Sequence, residues 1–173
     1  MKAFRYLLLA SVFLSGCAAT HTLPPTELRY GESYLPPIHV MSNDPLKGGE
    51  IRNSLRATGM FEDVLAGQAP ADAYAVRVQV TQERDHAAFP LVLLSAATLF
   101  LLPLPSDADT RMDFTLLKGE RTLKRYSYEN HTRAYFWLLD RGDEANAEHL
   151  RRITRSFARD VQQDGLMSAE VAQ

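Results

Sequence analysis

The chain has 173 residues, of which 46% are hydrophobic and 23% are charged, and its formal net charge is −2. This composition is typical of one globular domain and excludes a disordered chain, a collagen-like repeat and a protein with many membrane spans. The single cysteine excludes an intramolecular disulfide, so the stability of the fold must come from a packed core.

The first 16 residues have the pattern of a secretory signal peptide. Lys2 and Arg5 make the start positive, and residues 6–14 form an uncharged apolar run that is too short for a transmembrane helix. The run leads into residues 14–17, Leu-Ser-Gly-Cys, which resemble the lipobox of bacterial lipoproteins. This resemblance implies cleavage before Cys17, attachment of diacylglycerol to its thiol and acylation of the new amino group.

A lipid-anchored location follows from the lipobox resemblance. Acyl chains on Cys17 would hold the protein on a membrane, since each buried methylene contributes about 0.8 kcal/mol. Ala18 occupies the position where an Asp signals retention in the inner membrane, which favours the outer membrane, with the protein facing the periplasm. In the alternative, Cys17 is a small apolar residue of an ordinary signal peptide or of an uncleaved anchor.

The charge balance of the mature chain bears on its partners. Removal of residues 1–16 would take away Lys2 and Arg5 and would leave 17 basic and 21 acidic residues, a net charge of −4. Nucleic-acid-binding proteins usually carry a strong basic excess that neutralises phosphates. No nucleic-acid partner is therefore predicted.

Residues 17–36 are predicted to be a flexible tether that begins at the lipidated cysteine. Pro24-Pro25 and Pro36-Pro37 stand among Ala, Thr and other polar residues, a composition that favours an extended chain over a folded element. At about 3 Å per residue, such a tether could hold the folded body some tens of ångströms from the acyl chains.

In the first half of the folded body, the sequence predicts a strand, a helix and two further strands. Residues 38–41 form a short apolar run after two prolines. Residues 50–58 have apolar positions one helical turn apart, and Gly59 is placed to end that helix. Residues 60–64 form a short strand candidate, and residues 74–81 alternate between apolar and polar side chains, which is typical of a strand.

In the second half of the folded body, the sequence predicts a hairpin and a long helix. Residues 112–116 alternate as a strand, residues 118–121 form a turn, and residues 123–131 return as the partner strand. Residues 143–164 place apolar side chains on one face at three- and four-residue steps, which predicts an amphipathic helix. Gly165 is placed to end it.

These elements predict an α+β fold, a two-layer sandwich in which one mostly antiparallel sheet of about five strands carries two helices on one face. A single domain is predicted to span residues 37–166, with an apolar insertion at residues 87–105 and a tail at residues 167–173.

One segment resembles a group of bacterial envelope domains. Residues 55–64, LRATGMFEDV, match a helix that ends in a small-Gly-apolar-Phe turn, and residues 71–74, ADAY, match a strand that opens with Ala-Asp-aromatic. This pattern is similar to the TolB amino-terminal domain, the lipoprotein activators of penicillin-binding proteins and the curli secretion lipoprotein. The resemblance covers residues 38–83 and implies an envelope accessory protein without a catalytic residue.

Residues 87–105 form an apolar segment without a charged residue. Pro90 and Pro103 bracket a stretch that, as a helix, would span about 18 Å, which is short of a hydrocarbon core of about 30 Å. The segment is a buried connector under the sheet, an insertion that dips into the bilayer near the lipid anchor, or a self-association surface. On the last two interpretations the contact residues are Leu91, Leu93, Leu94, Leu99, Phe100 and Leu101, together with Trp137 from a later aromatic run.

No catalytic residue, metal site or cofactor is predicted. The sequence contains no phosphate-binding loop, nucleophile elbow or zinc-binding pair of histidines, and its five histidines show no metal-ligand spacing. A pocket around His131, or an imidazole at His86 oriented by Asp85, remains an alternative. The protein is therefore expected not to be an enzyme.

Arginines of the last predicted helix form one further candidate site. Arg151, Arg152, Arg155 and Arg159 fall on the face opposite the apolar residues and could bind an anionic lipid headgroup or another acidic partner. In the alternative, they form a solvated face in which Glu148 lies among them.

Together, these patterns predict a non-enzymatic lipoprotein of the cell envelope that acts as an accessory or assembly factor through protein–protein contacts at the outer membrane. Its partners would be the membrane, through acylated Cys17, and an envelope protein or a second copy of itself. The alternative is a carrier or sensor of lipid or of another apolar ligand that uses residues 87–105.

Overall fold

A computed structural model describes residues 19–29, 34–85, 87–99, 101–136 and 143–167 of the chain. The predicted signal peptide and the predicted lipidation site at Cys17 lie outside the described residues, as do the candidate residues His86, Phe100 and Trp137.

Strands and helices of the described residues follow one another along the chain in a mixed order. The strands are β1 (Thr20–His21), β2 (Ile38–Ser42), β3 (Val64–Ala66), β4 (Tyr74–Asp85), β5 (Leu104–Lys118) and β6 (Arg121–Phe136). The helices are α1 (Pro45–Arg56), α2 (Phe89–Ala97) and α3 (Asp143–Asp164).

The strands form one 6-stranded sheet in the order β1-β6-β5-β4-β2-β3. Strand β2 is parallel to both β3 and β4, whereas the other pairs are antiparallel, so the sheet is mixed. The α+β class is confirmed. The predicted five strands and two helices match only roughly, because β1 has two residues without a strand pattern and α2 lies inside the apolar segment.

The core lies where α1 and α3 cover one face of the sheet. Val76 and Val78 of β4, which the alternation predicts to face inward, are fully buried. The ring of Phe114 on β5 stacks on Phe157 of α3 at 4.5 Å between centroids, and Tyr126 of β6 meets Phe157 edge-on at 5.4 Å. Each such buried side chain contributes about 1.5–3 kcal/mol through the hydrophobic effect.

Helix α1 begins at a cap formed by Asp44, as the run Asn43-Asp44-Pro45 predicts. The carboxylate of Asp44 accepts hydrogen bonds from the backbone N–H of Leu46 at 3.0 Å and of Lys47 at 3.3 Å, and Pro45 occupies the first turn. This cap offsets the low helix propensity of the two glycines that follow. The helix ends before Gly59, whose φ of 65° is the left-handed conformation expected of a terminating glycine.

Hydrogen bonds to β6 fix helix α3 on the sheet. The hydroxyl of Tyr126 donates to Asp164 at 2.6 Å, and the hydroxyl of Tyr128 donates to Asp160 at 2.7 Å. Burial, together with the neighbouring carboxylate of Asp160, raises the pKa of Tyr128 far above its usual range, so its hydroxyl stays a donor. These contacts fix the last turns of α3 against β6.

Part of the predicted tether is a folded element. The backbone N–H of Thr22 donates to the carbonyl of His131 at 3.0 Å, which extends the pairing of β1 with β6. Further along, the hydroxyl of Thr26 is buried and shares a hydrogen bond with Ser156 of α3 at 2.8 Å. Polar side chains and prolines favour a tether locally, but here the polar groups find partners on distant elements.

Candidate functional site

The apolar arm, which we define as residues 87–103, connects β4 to β5 at one end of the sheet. Its large apolar side chains are exposed, with fractions of 72% for Phe89, 73% for Leu99 and 62% for Leu101. Four further leucines of the arm are also exposed: Leu91, Leu93, Leu94 and Leu102. The interpretation of this segment as a buried connector under the sheet is therefore wrong. Its apolar residues outnumber the places that the core offers.

Many polar groups of the arm form hydrogen bonds within the arm itself. Pro90 lies in the first turn of α2, where its missing N–H costs nothing. At the other end of the helix, the hydroxyl of Thr98 donates to the carbonyl of Ser95 at 2.9 Å. The buried hydroxyl of Ser95 donates to the carbonyl of Leu102 at 2.8 Å, which closes the arm on itself. Such internal pairing is what an apolar environment demands of a backbone.

Among the described helices, none has both the length and the apolar character needed to cross a bilayer.

One row of paired residues crosses the sheet beside the arm. Thr20 pairs with Arg133, Arg133 pairs with Asp107, and Asp107 pairs with Asp85, the last residue of β4 before the arm. Three strand spacings of about 4.8 Å place Thr20 about 14 Å from Asp85. In the sequence, Thr20 follows the predicted lipidation site, Cys17, by three residues, and three residues span at most about 11 Å. Thr20 itself lies at the end of the sheet that carries the arm.

A second feature is a groove of about 730 Å³ between α1 and α3. Its floor includes Ile51 of α1, Met112 and Thr110 of β5, and His149 of α3, all of them buried. A volume of this size is in the range of small-molecule sites, which is about 300–1,000 Å³. Among the described residues of the apolar arm, none lines this groove, so the two features are separate surfaces.

The tautomer of His149 follows from the hydrogen bonds around it. The backbone N–H of Leu23 donates to the side-chain oxygen of Asn130 at 2.9 Å, which orients the amide. The amide nitrogen of Asn130 then donates to Nδ1 of His149 at 2.8 Å. Because Nδ1 accepts, Nε2 must carry the proton of the neutral ring. This Nε2–H is buried and has no hydrogen-bond partner among the described residues.

The charge state of His149 agrees with this arrangement. The side chain is 7% exposed, and burial is the main cause that lowers its pKa, followed by the positive fields of His21, Lys47 and Arg84. Together they lower the pKa of His149 to about 4. The imidazole is therefore neutral at pH 7, and its Nε2–H is a donor without a net charge.

Thr110 provides a second unpaired polar group in the floor of the groove. It is 4% exposed, and its hydroxyl has no hydrogen-bond partner among the described residues. In the sheet it lies between Gln82 of β4 and Asn130 of β6, next to the network that holds His149. Buried polar groups are nearly always hydrogen-bonded in native proteins. Two such groups without a partner in one groove, Nε2–H of His149 and the hydroxyl of Thr110, therefore indicate a site where a ligand can supply the missing hydrogen bonds.

The structure divides the four arginines of α3. Arg151 and Arg152 both donate to Glu148, at 2.7 and 2.8 Å, and Arg152 also donates to the carbonyl of Leu23 at 2.8 Å. Arg159 pairs with the neighbouring carboxylate of Asp160 at 3.0 Å. Only Arg151 and Arg155 line the groove. The arginines therefore share a helix, but they do not form one site.

His131 lies on the outer face of the sheet, away from the helices. Its Nδ1 is 2.8 Å from the carboxylate of Asp109, and Arg133 pairs with Asp107 nearby at 2.7 Å. No group of three metal-ligating side chains comes together in the described part of the chain. The sequence patterns missed His149, Asn130 and Thr110, because these residues lie on α3, β6 and β5 and are brought together only by the packing of those elements.

Comparisons with known proteins give likenesses of fold. No protein-family model and no curated protein matches the chain. A minor lipoprotein from Acinetobacter baumannii has a similar fold, with a TM-score of 0.46 and 14% identity over 78% of this chain and 96% of that chain. The rare lipoprotein B from Shewanella oneidensis is similar with a TM-score of 0.36 and 16% identity, again over 78% of this chain and 96% of that chain.

An uncharacterized lipoprotein B from Nitrosomonas europaea is similar with a TM-score of 0.34 and 9% identity, over 82% of this chain and 89% of that chain. All three of these proteins are named as lipoproteins.

Proposed function

We propose that this protein is a non-enzymatic lipoprotein of the bacterial cell envelope whose body docks on the outer membrane through two adjacent groups, the acylated Cys17 and the apolar arm. From that position it acts as an accessory factor through contacts with an envelope protein. The observation that carries the proposal is the row from Thr20 to Asp85, which brings Thr20, three residues after Cys17 in the sequence, and the base of the arm to one end of the sheet.

The energetics of the arm support membrane docking. Burying one leucine or phenylalanine side chain that is otherwise exposed contributes about 1.5–3 kcal/mol. Exposed apolar surface of this extent on a monomer marks an interaction site. The several acyl chains expected on Cys17 would already anchor the protein stably. The arm would add a second contact with the membrane, which orients the body rather than holding it there.

The charges at the base of the arm also favour an orientation in which the arm enters the membrane. The arm has no charged residue, whereas Asp85, Asp107 and Arg133 lie together in the row nearest the arm in which β4, β5 and β6 are all paired. The guanidinium of Arg133 donates to Asp107 at 2.7 Å and lowers the pKa of that carboxyl, so both groups are charged. Charged residues at this level would meet the headgroups when the arm enters the apolar layer.

Vesicle binding of the unacylated protein tests the role of the arm. We expect the mature chain with Cys17→Ala to bind vesicles of phosphatidylethanolamine and phosphatidylglycerol, and the same chain with L93E and L101E to bind about a hundredfold more weakly. Each substitution removes a leucine from the apolar layer and adds a charge there, which costs at least about 1.4 kcal/mol, or tenfold. Sedimentation with the vesicles measures the bound fraction.

Tyr34→Glu is the matched control, because Tyr34 is also an exposed apolar side chain, 69% exposed, but lies far from the arm. Its neighbour Leu35 pairs with Phe61 beyond the opposite end of the sheet. The Tyr34→Glu change should leave vesicle binding unchanged. If the Cys17→Ala protein ignores vesicles, or if Tyr34→Glu weakens binding as much as the arm variant, the arm is not a membrane element.

Photocrosslinking in intact cells separates the membrane from a protein partner. A photoreactive side chain at Leu101 of the arm should give lipid adducts, and one at Gln79, which is exposed on the outer face of β4, should give one discrete protein adduct. Mass spectrometry identifies both. Dimeric adducts of this chain at Leu101 would show self-association and overturn membrane docking, and the lack of any protein adduct at Gln79 would count against the accessory role.

A further inference from the structure

We propose that the groove between α1 and α3 binds a single-chain amphiphile with a phosphate head, the head beside His149, Lys47 and Arg84 and the apolar chain between the two helices. This site does not include the apolar arm, and only its fourth supporting observation, the place where the groove ends, rests on the proposed membrane docking. Four observations carry the assignment: two unpaired buried polar groups, an excess of positive charge, an apolar floor, and the place where the groove ends.

The polar groups provide directional contacts for the head. The Nε2–H of His149 is a donor by the hydrogen-bond chain that begins at Leu23, and the hydroxyl of Thr110 can donate or accept. A phosphate oxygen accepts hydrogen bonds and would satisfy both groups. An apolar ligand would leave them unpaired, which is costly in a buried place.

The charges that line the groove favour an anion. Lys47, Arg84, Arg151 and Arg155 line it, against the carboxylates of Asp44 and Glu50. The carboxylate of Asp44 already caps α1, and Lys47 donates to the side-chain oxygen of Gln82. Arg84 and Arg155 have no carboxylate partner among the described residues. Guanidinium groups bind phosphate through paired hydrogen bonds.

The middle of the groove is apolar. Ile51 of α1 and Met112 of β5 form its floor, and Leu150 of α3 is half-buried on its wall. An alkyl chain that lies there would cover this apolar surface and remove it from water, which is favourable. Inorganic phosphate would leave this surface unused.

The cationic end of the groove lies near the arm end of the sheet. Arg84 pairs with Ala108, Ala108 pairs with Thr132, and Thr132 pairs with His21, which is the row next to the one that borders the arm. An amphiphile that leaves a membrane surface would therefore meet this end of the groove first. The position favours an amphiphile over a free phosphate ion.

Titration of the mature Cys17→Ala chain with decyl phosphate, below its micelle concentration, tests the assignment. We expect saturable binding that shifts the ¹⁵N resonance of Nε2 of His149. Inorganic phosphate and decanol, which carry only the head or only the chain, should each bind about tenfold or more weakly.

Variants on the two faces of β4 provide the matched comparison. Arg84→Gln should weaken decyl phosphate binding about tenfold, because it removes a charge-assisted hydrogen bond, whereas Arg77→Gln on the exposed outer face of the same strand should leave the affinity unchanged. L93E with L101E in the arm should also leave it unchanged. That last result separates the groove from the arm, so either proposal can fail alone.

Thr110→Val distinguishes a ligand contact from a structural role. Since the hydroxyl has no partner, its loss should leave the urea midpoint of unfolding equal or higher, while the affinity for decyl phosphate falls severalfold. Equal binding of inorganic phosphate and decyl phosphate would overturn the amphiphile. A missing shift at His149, or an Arg84→Gln variant that binds like the wild type, would overturn the site.

Discussion

Replacing Phe157 by alanine is expected to lower the free energy of unfolding by about 3–5 kcal/mol. Phe157 is fully buried, its ring stacks on Phe114 at 4.5 Å, and the ring of Tyr126 meets it edge-on at 5.4 Å. The change removes both ring contacts and leaves a cavity between α3 and the centre of the sheet, where the other side chains cannot close in. Urea denaturation followed by circular dichroism gives the free energy.

Phe89→Ala is the control for this prediction, since it removes the same ring from the apolar arm, where the side chain is 72% exposed. It should change the free energy of unfolding by less than about 0.5 kcal/mol, as surface substitutions usually do. The pair separates the core from the arm. A large loss at Phe89 would mean that the arm packs on the body in solution, and a small loss at Phe157 would mean that the core is not where α3 meets the sheet.

Acid is expected to destabilise the protein through His149. The ordinary pKa of histidine is 6.5, and in the folded protein the pKa of His149 is lowered to about 4. The unfolded chain therefore binds a proton in a range where the native protein does not, and the free energy of unfolding falls as the pH drops from about 6.5 to about 4. At 1.36 kcal/mol for each tenfold difference in proton affinity, the loss reaches about 3 kcal/mol.

The variant His149→Asn isolates this contribution from that of the carboxylates. It should be less stable than the wild type at pH 7, because the amide of Asn130 loses part of its network, and the difference should shrink by about 3 kcal/mol at pH 4. Burial and Arg152 also lower the pKa of His21, which adds a smaller effect of the same sign in both proteins. A constant difference across this pH range would show that His149 is not held neutral.

His131→Asn is the matched control, because this imidazole lies on the outer face of the sheet beside Asp109. The His131→Asn variant should keep the loss of stability in acid that His149 causes, because the substitution leaves the hydrogen bond between Asn130 and His149 intact. Equal flattening by both variants would show that the acid sensitivity does not come from the network below the groove.

The sequence predicts the elements that bury a regular face. The alternation of Val76 and Val78 predicts β4, and the apolar face of residues 143–164 predicts α3, because in both the side-chain period matches the geometry of one buried surface. Strand β1 has no such face. Its two residues, Thr20 and His21, pair with β6 through contacts that are distant in sequence, and a local pattern does not contain them.

The candidate sites show the same division. The apolar arm stands out in the sequence, but its exposure depends on how much apolar surface the two main helices already supply to the sheet. No sequence motif marks the groove, since His149 and Asn130 are 19 residues apart and Leu23 lies in the segment after β1. For the arginines, the helical period places them on one face of α3, whereas Glu148 and the carbonyl of Leu23 decide which of them stay free.

Under the proposed membrane docking, the short strand β1 would limit how the body moves on the membrane. A long flexible tether would let the body tumble above the lipid, whereas the pairing of Thr20 with Arg133 leaves three residue steps between the predicted lipidation site, Cys17, and the sheet. The body would then diffuse in two dimensions, in a layer whose far limit, the turn after Lys118, stands about 36 Å from the arm end of β4. Partners whose binding surfaces lie within that layer would be met at high effective concentration.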